Sequence, residues 1–415
     1  MKSVVKIAWR EKFERARISA LPLMLIGFVL AGCSTSLPGG IFGKSENEPI
    51  QTQPQQGGLP GIQSEPLGGP ATRVGLILPL SAGGNAGAVA QSMKNAADLA
   101  LAEFGTTNIQ LIVKDDRGSA QGARAAAEAA VQEGVEIILG PLFSPAVAAA
   151  GPVAKQANIP MIAFSTDTNV ATQGVYLLSF LPESDVDRIV SYAAQAGKRS
   201  IVALLPENAY GSVVDAQLRS AAGSRGARVV SIQKYSADGK NLKEAAKRAA
   251  QAARQAETIM IADSPEMTQQ AVAALAQSGV QPGTKQLIGT GLWDDKSLFS
   301  DPKMNGAWFA ATEMNGYNSF AQRYRARFGQ DPVRTSSLAY DAVSLVAALV
   351  KTQAEGRFSV ETLTNPSGFV GVDGIFRFRR DGTSERGLAI MEIRDGTTRA
   401  ISAAPRAFTG YAASN

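Results

Sequence analysis

From residue 73 onward, short and continuously apolar runs alternate with alanine-rich stretches of helical period. This alternation restricts the fold more than any other feature of the 415-residue chain. The runs at 74–80, 109–114, 136–139 and 160–164 read as strands, with helices predicted over 89–104, 119–133 and 145–157 between them. Over 89–104, Val89, Met93, Ala96, Ala97, Ala100, Leu101 and Phe104 recur at the spacing of one helical face. A second series follows Pro182, with helices over 185–195, 213–224, 242–253 and 267–277 and strands over 201–205, 228–235 and 258–262. Strands that are apolar without a break are buried on both faces, as in parallel sheets covered by helices. The expectation is an α/β protein of two similar lobes, each a mostly parallel sheet with helices on both faces.

In such sheets ligands bind beyond the carboxyl ends of the strands, where turn side chains and the N–H groups of helix starts converge. The turns of the first series read Ser81-Ala-Gly-Gly-Asn-Ala-Gly87, Asp115-Asp116, Gly140-Pro-Leu-Phe-Ser-Pro145 and Ser165-Thr-Asp-Thr-Asn169. Those of the second read Glu207-Asn-Ala-Tyr-Gly211, Asp263-Ser264 and Gly289-Thr-Gly-Leu-Trp-Asp-Asp295. Hydroxyls, free N–H groups and aromatic faces suit a small polar ligand. The candidate ligand-binding residues are Ser81, Ser144, Ser165, Thr166, Asp167, Thr168, Tyr210, Asp263 and Trp293. Helix capping is the competing account of Ser144, Asp263 and Ser264, each just ahead of a predicted helix.

The chain has no histidine and one cysteine. Ser-His-Asp triads, Cys-His dyads, histidine-bearing zinc sites and internal disulfides are therefore excluded. Ser231-Ile-Gln-Lys234 has the Ser-x-x-Lys spacing of penicillin-interacting enzymes but falls on a predicted strand, and neither a nucleophile elbow nor a phosphate-binding loop is present. The expectation is a protein without enzymatic activity, cofactor or catalytic metal.

Residues 1–32 carry six of the 41 Lys and Arg but only two of the 36 Asp and Glu, followed by an apolar run over 21–30. A basic segment and an apolar run of about ten residues, too short to span a bilayer, read as an export signal. Leu30-Ala31-Gly32-Cys33 resembles the bacterial lipobox, which implies acylation of Cys33 and cleavage before it. Lipidation would account for a cysteine with no partner and would anchor the chain to a bilayer. Ser34, rather than Asp, at the next position favours the outer membrane by resemblance to Gram-negative lipoproteins. Without residues 1–32 the net charge is +1 instead of +5, so no basic field argues for nucleic acid. Residues 33–72, rich in Gly, Pro, Gln and Ser, read as a lipidated cysteine and a disordered tether.

The segments 74–81, 138–144, 158–165 and 207–211, in this order, resemble the leucine/isoleucine/valine-binding family of type I periplasmic binding proteins, over about residues 73–400. The resemblance implies two lobes closing by a hinge on a small ligand, with crossovers near 180–182, 311–314 and 370–374. The lobes would be 73–181 with 313–370 and 182–312 with 371–402, followed by a tail over 403–415. It also implies that Ser144 and the Ser165–Thr168 turn receive a ligand carboxylate and that Tyr210, before Gly211, covers the ligand. Gly291 stands where the family has the acid for a ligand ammonium, leaving Asp263, Asp167 or Asp294 to supply it. The implied partners are a small polar ligand and the permease of an ABC importer. The Thr290-Gly-Leu-Trp293 turn, the 305–311 segment, the lipobox and the tether resemble instead the penicillin-binding-protein activator lipoproteins, whose partner is a peptidoglycan synthase. Trp293 is either a cleft wall or a core residue.

Overall fold

The computed structural model describes residues 49–52, 71–105 and 108–408. The segment read as an export signal, Cys33, most of the segment read as a tether and the end of the expected tail lie outside these residues. The first lobe is built on a parallel sheet of order β3-β2-β4-β5-β6, with β2 Thr72–Leu78, β3 Ile109–Asp115, β4 Ile137–Leu139, β5 Met161–Ala163 and β6 Val175–Leu177. Helices α1 Asn85–Glu103, α2 Ala120–Gln132 and α3 Ser144–Gln156 connect them. The second lobe has strands β7 Ser200–Glu207, β8 Arg228–Ser236, β9 Thr258–Ile261, β10 Gln286–Gly289 and β11 Trp308–Ala311, all parallel, with helices α4 Pro182–Gln195, α5 Ala209–Ser224, α6 Leu242–Ala252, α7 Pro265–Gln277 and α8 Lys296–Phe299. Helices α9 Met314–Phe328, α10 Ser336–Thr352 and α11 Val360–Leu363 follow.

The strand periodicity sorts side chains onto two faces. Val74, Leu76 and Leu78 of β2 enter one core with α1, α9 and α10, while Ile77 enters another with α2 and α3. In β7, Ile201, Ala203 and Leu205 meet α4 and α5, while Val202 and Leu204 meet α6 and α7. The buried stripes of α2 (Ala123, Ala126, Ala127, Ala130) and α6 (Ala245, Ala246, Ala249, Ala250) are almost all alanine, a side chain small enough to seat a helix close on a sheet.

The last part of the chain departs from the sequence expectation. Strands β12 Phe369–Gly371, β13 Gly374–Phe378 and β14 Ser384–Arg386 form an antiparallel sheet whose Phe369, Phe376 and Phe378 are buried in the first lobe's core. The third crossover is therefore between β14 and β15 (Ala389–Arg394), and not near 370–374. Residues up to 386 belong with the first lobe, because burial of these phenylalanines outweighs their distance along the chain. Strands β15 and β16 (Thr397–Ser402) then complete the second sheet, antiparallel beside β11. A second correction concerns the tether. Ile50–Gln51 (β1) pairs in parallel with β12, the Ile50 and Thr52 N–H groups donate to the Gly368 and Val370 carbonyls, and Thr52 is fully buried. This short stretch covers the open edge of β12, and sheet edges recruit such strands.

Candidate functional site

One arginine ties the first two crossovers to the β12–β13 turn of the first lobe. Arg334, just ahead of α10, donates from its two terminal nitrogens to both carboxylate oxygens of the fully buried Asp373, and also to Thr312 Oγ1 at 3.0 Å in the second crossover. Its guanidinium lies between the rings of Phe180 in the first crossover, at 4.5 Å, and Tyr317 of α9, at 4.3 Å. Arg386, where the third crossover begins, stands 5.0 Å from the same Phe180 ring. Arg386 is buried, and its three side-chain nitrogens have no hydrogen-bond partner among the described residues. Asp341 of α10 accepts the Val372 N–H at 2.8 Å, and burial together with Asp373 holds its carboxyl well above the usual range.

A cavity of about 570 Å³ opens beside this cluster. Phe180, Pro182, Ala311, Met314 and Leu388 give it apolar walls from all three crossovers, and Tyr210, Gly291 and Leu292 reach it from the second lobe's turns. Phe143, Leu292 and Val333 are the exposed large apolar side chains among the described residues. Leu292 is on the wall and Val333 precedes the lining residue Arg334 in sequence. Asp185, in the first turn of α4, accepts the Gly291 N–H at 2.9 Å and faces the cavity. Burial raises its carboxyl to about 7, a shift opposed by the Gly291 N–H and by Arg386. The Tyr210 hydroxyl is 2.7 Å from Thr290 Oγ1, and burial raises its pKa as well. Another concavity, of about 450 Å³ and lined by Lys198, Glu257, Lys285 and Trp308, lies at the amino ends of the second sheet's strands, the wrong end for a ligand in this architecture.

The family model described as periplasmic binding protein matches residues 71–398. The chain belongs to the periplasmic binding protein family. Its leucine/isoleucine/valine-binding type is supported by the Leu/Ile/Val-binding protein homolog 6 of Brucella abortus, 28% identical over 154 residues, which are 35% of this chain and 38% of that protein. The chain thus aligns with well under half of that curated relative's length. Solved structures give the fold. A putative branched-chain amino acid ABC transporter from Rhodospirillum rubrum has a TM-score of 0.71 at 21% identity, covering 80% of this chain and 100% of its own. The substrate-binding protein LivJ from Streptococcus pneumoniae, in complex with isoleucine, has a TM-score of 0.57 at 19% identity, covering 81% and 100%. A solute-binding protein from Rhodopseudomonas palustris, in complex with 3,4-dihydroxybenzoic acid, has a TM-score of 0.59 at 21% identity, covering 80% and 96%. The two lobes are those of the type I periplasmic binding protein fold.

Within this binding-protein frame the sequence-predicted residues separate. Tyr210 lines the cavity. Ser81, Ser144, Ser165, Thr166, Asp167 and Thr168 stand on first-lobe turns away from its wall. Ser81 N–H donates to Asp115 at 3.2 Å, and Thr166 is exposed. Ser144 is the first residue of α3 but does not cap it, because its hydroxyl donates to Asp167 Oδ2 at 2.6 Å. That bond and the Asn169 N–H hold the Asp167 carboxyl below its usual value. Ser165 Oγ accepts the Asp167 N–H at 3.1 Å, and Thr168 donates to Glu183 of α4 at 2.9 Å, from one lobe to the other. Asp263 accepts from the Tyr235 hydroxyl and the Ser264 N–H, while Ser264 caps α7.

Trp293, a ligand-binding candidate left open between cleft wall and core, is a core residue: it is fully buried, its indole N–H donates to Thr268 Oγ1 at 3.2 Å, and its ring packs on Gly289. Sequence reasoning missed Phe180, Asp185 and Arg334. Asp185 reads locally as an acid in a helix's first turn, a common dipole partner, and nothing in the sequence aims it at residue 291.

Proposed function

We propose that this protein captures a small amphipathic molecule, amino-acid-like in size, and delivers it to the permease of an ABC importer, with lipidated Cys33 holding it to the periplasmic face of a bacterial membrane, the outer membrane by the Ser34 criterion. The observation that carries the reading is the cavity itself. Apolar walls from the crossovers, with a few polar groups from both lobes, are the make-up of a small-molecule site, and the crossovers are where a hinge between the lobes would act. Relatives of this fold in complex with isoleucine and with 3,4-dihydroxybenzoic acid support ligands of this size. The test is a thermal-shift panel of leucine, isoleucine, valine, benzoate and 3,4-dihydroxybenzoate. A ligand at 100 times its Kd stabilises the folded state by about 2.7 kcal/mol. No shift with any of them would remove the reading.

One observation favours a second reading. The hydroxyls of Ser144 and Thr168, the expected carboxylate receivers, are engaged by Asp167 and Glu183. A body of this fold whose Ser144 is engaged within its own lobe and whose Thr168 is engaged across to α4 suits an activator lipoprotein that docks on a peptidoglycan synthase. Crosslinking in intact cells separates the two: permease subunits support the first, a synthase the second.

A further inference from the structure

The edge of β12 is a strand-binding site, and its occupant comes from the chain's own leading segment. Ile50–Gln51 runs parallel to β12, with sides that alternate as on any half-covered sheet: Ile50 packs against the first lobe's core, Gln51 is exposed and Thr52 is fully buried. The Ile50 N–H donates to the Gly368 carbonyl at 2.8 Å and the Thr52 N–H to the Val370 carbonyl at 3.3 Å, and the Thr52 hydroxyl donates to the same Val370 oxygen. In sequence, these two β-branched residues stand between Pro49 and Pro54. Proline has no N–H for a ladder, so the pairing is confined to the few residues between them. The position of this contact decides the geometry of everything ahead of it. Sixteen residues separate Cys33 from Ile50, whereas 38 separate it from Thr72, where β2 begins. From Val370, paired with Gln51, the chain reaches Asp373, the partner of Arg334, in three residues, so the leading segment is fastened beside the crossover cluster and not at β2.

We propose that residues 50–52 are a clasp that sets the reach of the protein from its anchor. With the clasp closed, a fully extended chain lets the β12 edge stand at most about 60 Å from Cys33; with it open, the start of β2 can stand about 140 Å away. This rests on the reading of Cys33 as the point of attachment to the membrane and goes beyond it: the clasp fixes both the distance from the bilayer at which the lobes work and the side of the first lobe from which the tether leaves. It acts the same way whether the partner is a permease or a synthase.

The test uses the full chain from Cys33 onward, without lipid. Hydrogen exchange reads the clasp: the Ile50 and Thr52 amides should exchange about tenfold or more slowly than those of a synthetic peptide of residues 46–56, and exchange at the peptide's rate overturns the proposal. Spin labels on Cys33, the chain's one cysteine, and on Glu361→Cys read the reach. Glu361 is exposed on α11, four residues from Arg357, whose side chain donates to Thr72. Twenty-four Gly and Ser residues are inserted either ahead of the clasp, after Gly40, or behind it, after Gly58, and neither insertion touches a lobe. The insertion ahead should lengthen the label separation by up to about 1.5-fold, while the one behind leaves it unchanged. Equal lengthening by both, or by neither, overturns the proposal. Ile50→Asp combined with Thr52→Pro removes the apolar contact, the Thr52 N–H and its hydroxyl, and should erase the difference between the two insertions. A difference that persists in that variant overturns the assignment to residues 50–52; should the variant not fold, the insertions in the wild type decide. Mass spectrometry of membrane-extracted protein separates the two readings. An unmodified Cys33 removes the anchoring reading and the reach-setting role with it, whereas an acylated Cys33 with unprotected Ile50 and Thr52 amides defeats the clasp alone.

Discussion

Replacing Arg334 with methionine strips the fully buried Asp373 of both hydrogen bonds to its carboxylate and unties the first two crossovers from the β12–β13 turn. Removing one partner of a buried ion pair costs about 3–5 kcal/mol, chiefly because the remaining charge is left without compensation. About a third of the Arg334 side chain meets solvent, and Arg386 remains in electrostatic reach of Asp373, so the lower end, about 3 kcal/mol, is expected. Unfolding entropy near 2.1 cal/mol/K per residue over roughly 340 folded residues gives about 0.7 kcal/mol/K, hence a fall in Tm of about 4 °C. The decisive variant is the double one, Arg334→Met with Asp373→Asn. It loses a second polar group yet removes the stranded charge, so it should be more stable than Arg334→Met alone by at least about 1 kcal/mol. Urea unfolding followed by circular dichroism and by tryptophan fluorescence measures all three variants. A double variant less stable than Arg334→Met, or an Arg334→Met variant within 1 kcal/mol of wild type, would refute the view that a buried charge pair fastens the first two crossovers to the β12–β13 turn.

Three further outcomes are expected. Trp293→Phe should keep ligand affinity within twofold while Trp293→Ala loses about 3–5 kcal/mol of stability; a tenfold affinity loss in the phenylalanine variant would return this residue to the cleft. Gly289→Ala should lose about 1–3 kcal/mol, because the new methyl would stand 2.2 Å from the Trp293 ring, and a Tm equal to wild type would show that the indole is not seated there. Asp341→Asn keeps an oxygen for the Val372 N–H and tests a pH dependence. The folded state holds a proton on Asp341 that the unfolded chain releases near pH 4, so wild-type stability falls as pH rises from there toward neutrality and levels off once the folded carboxyl ionises. The variant should gain on wild type over that window, and a stability difference independent of pH between 4 and 8 counts against a raised Asp341.

Most of the architecture was legible in the residues. The continuous apolar character of 74–80 and 201–205, the alanine stripes of α2 and α6 and the cap at Ser264 are local properties, set by helical and strand periodicity and by a side chain reaching an N–H group three residues on. The strand ends of both lobes followed from that alternation, and with them Tyr210 on the cavity wall. Tertiary structure alone decided the rest. Trp293 went to the core because Gly289 leaves room for an indole, the β12–β14 sheet joined the first lobe because its phenylalanines fill that core, and Ile50–Gln51 found an open strand edge. Asp185 meets Gly291 across 106 residues, and Arg334 meets Asp373 across 39. Periodicity is written in neighbouring residues, whereas burial and the pairing of charges depend on which distant surfaces the folded chain brings together.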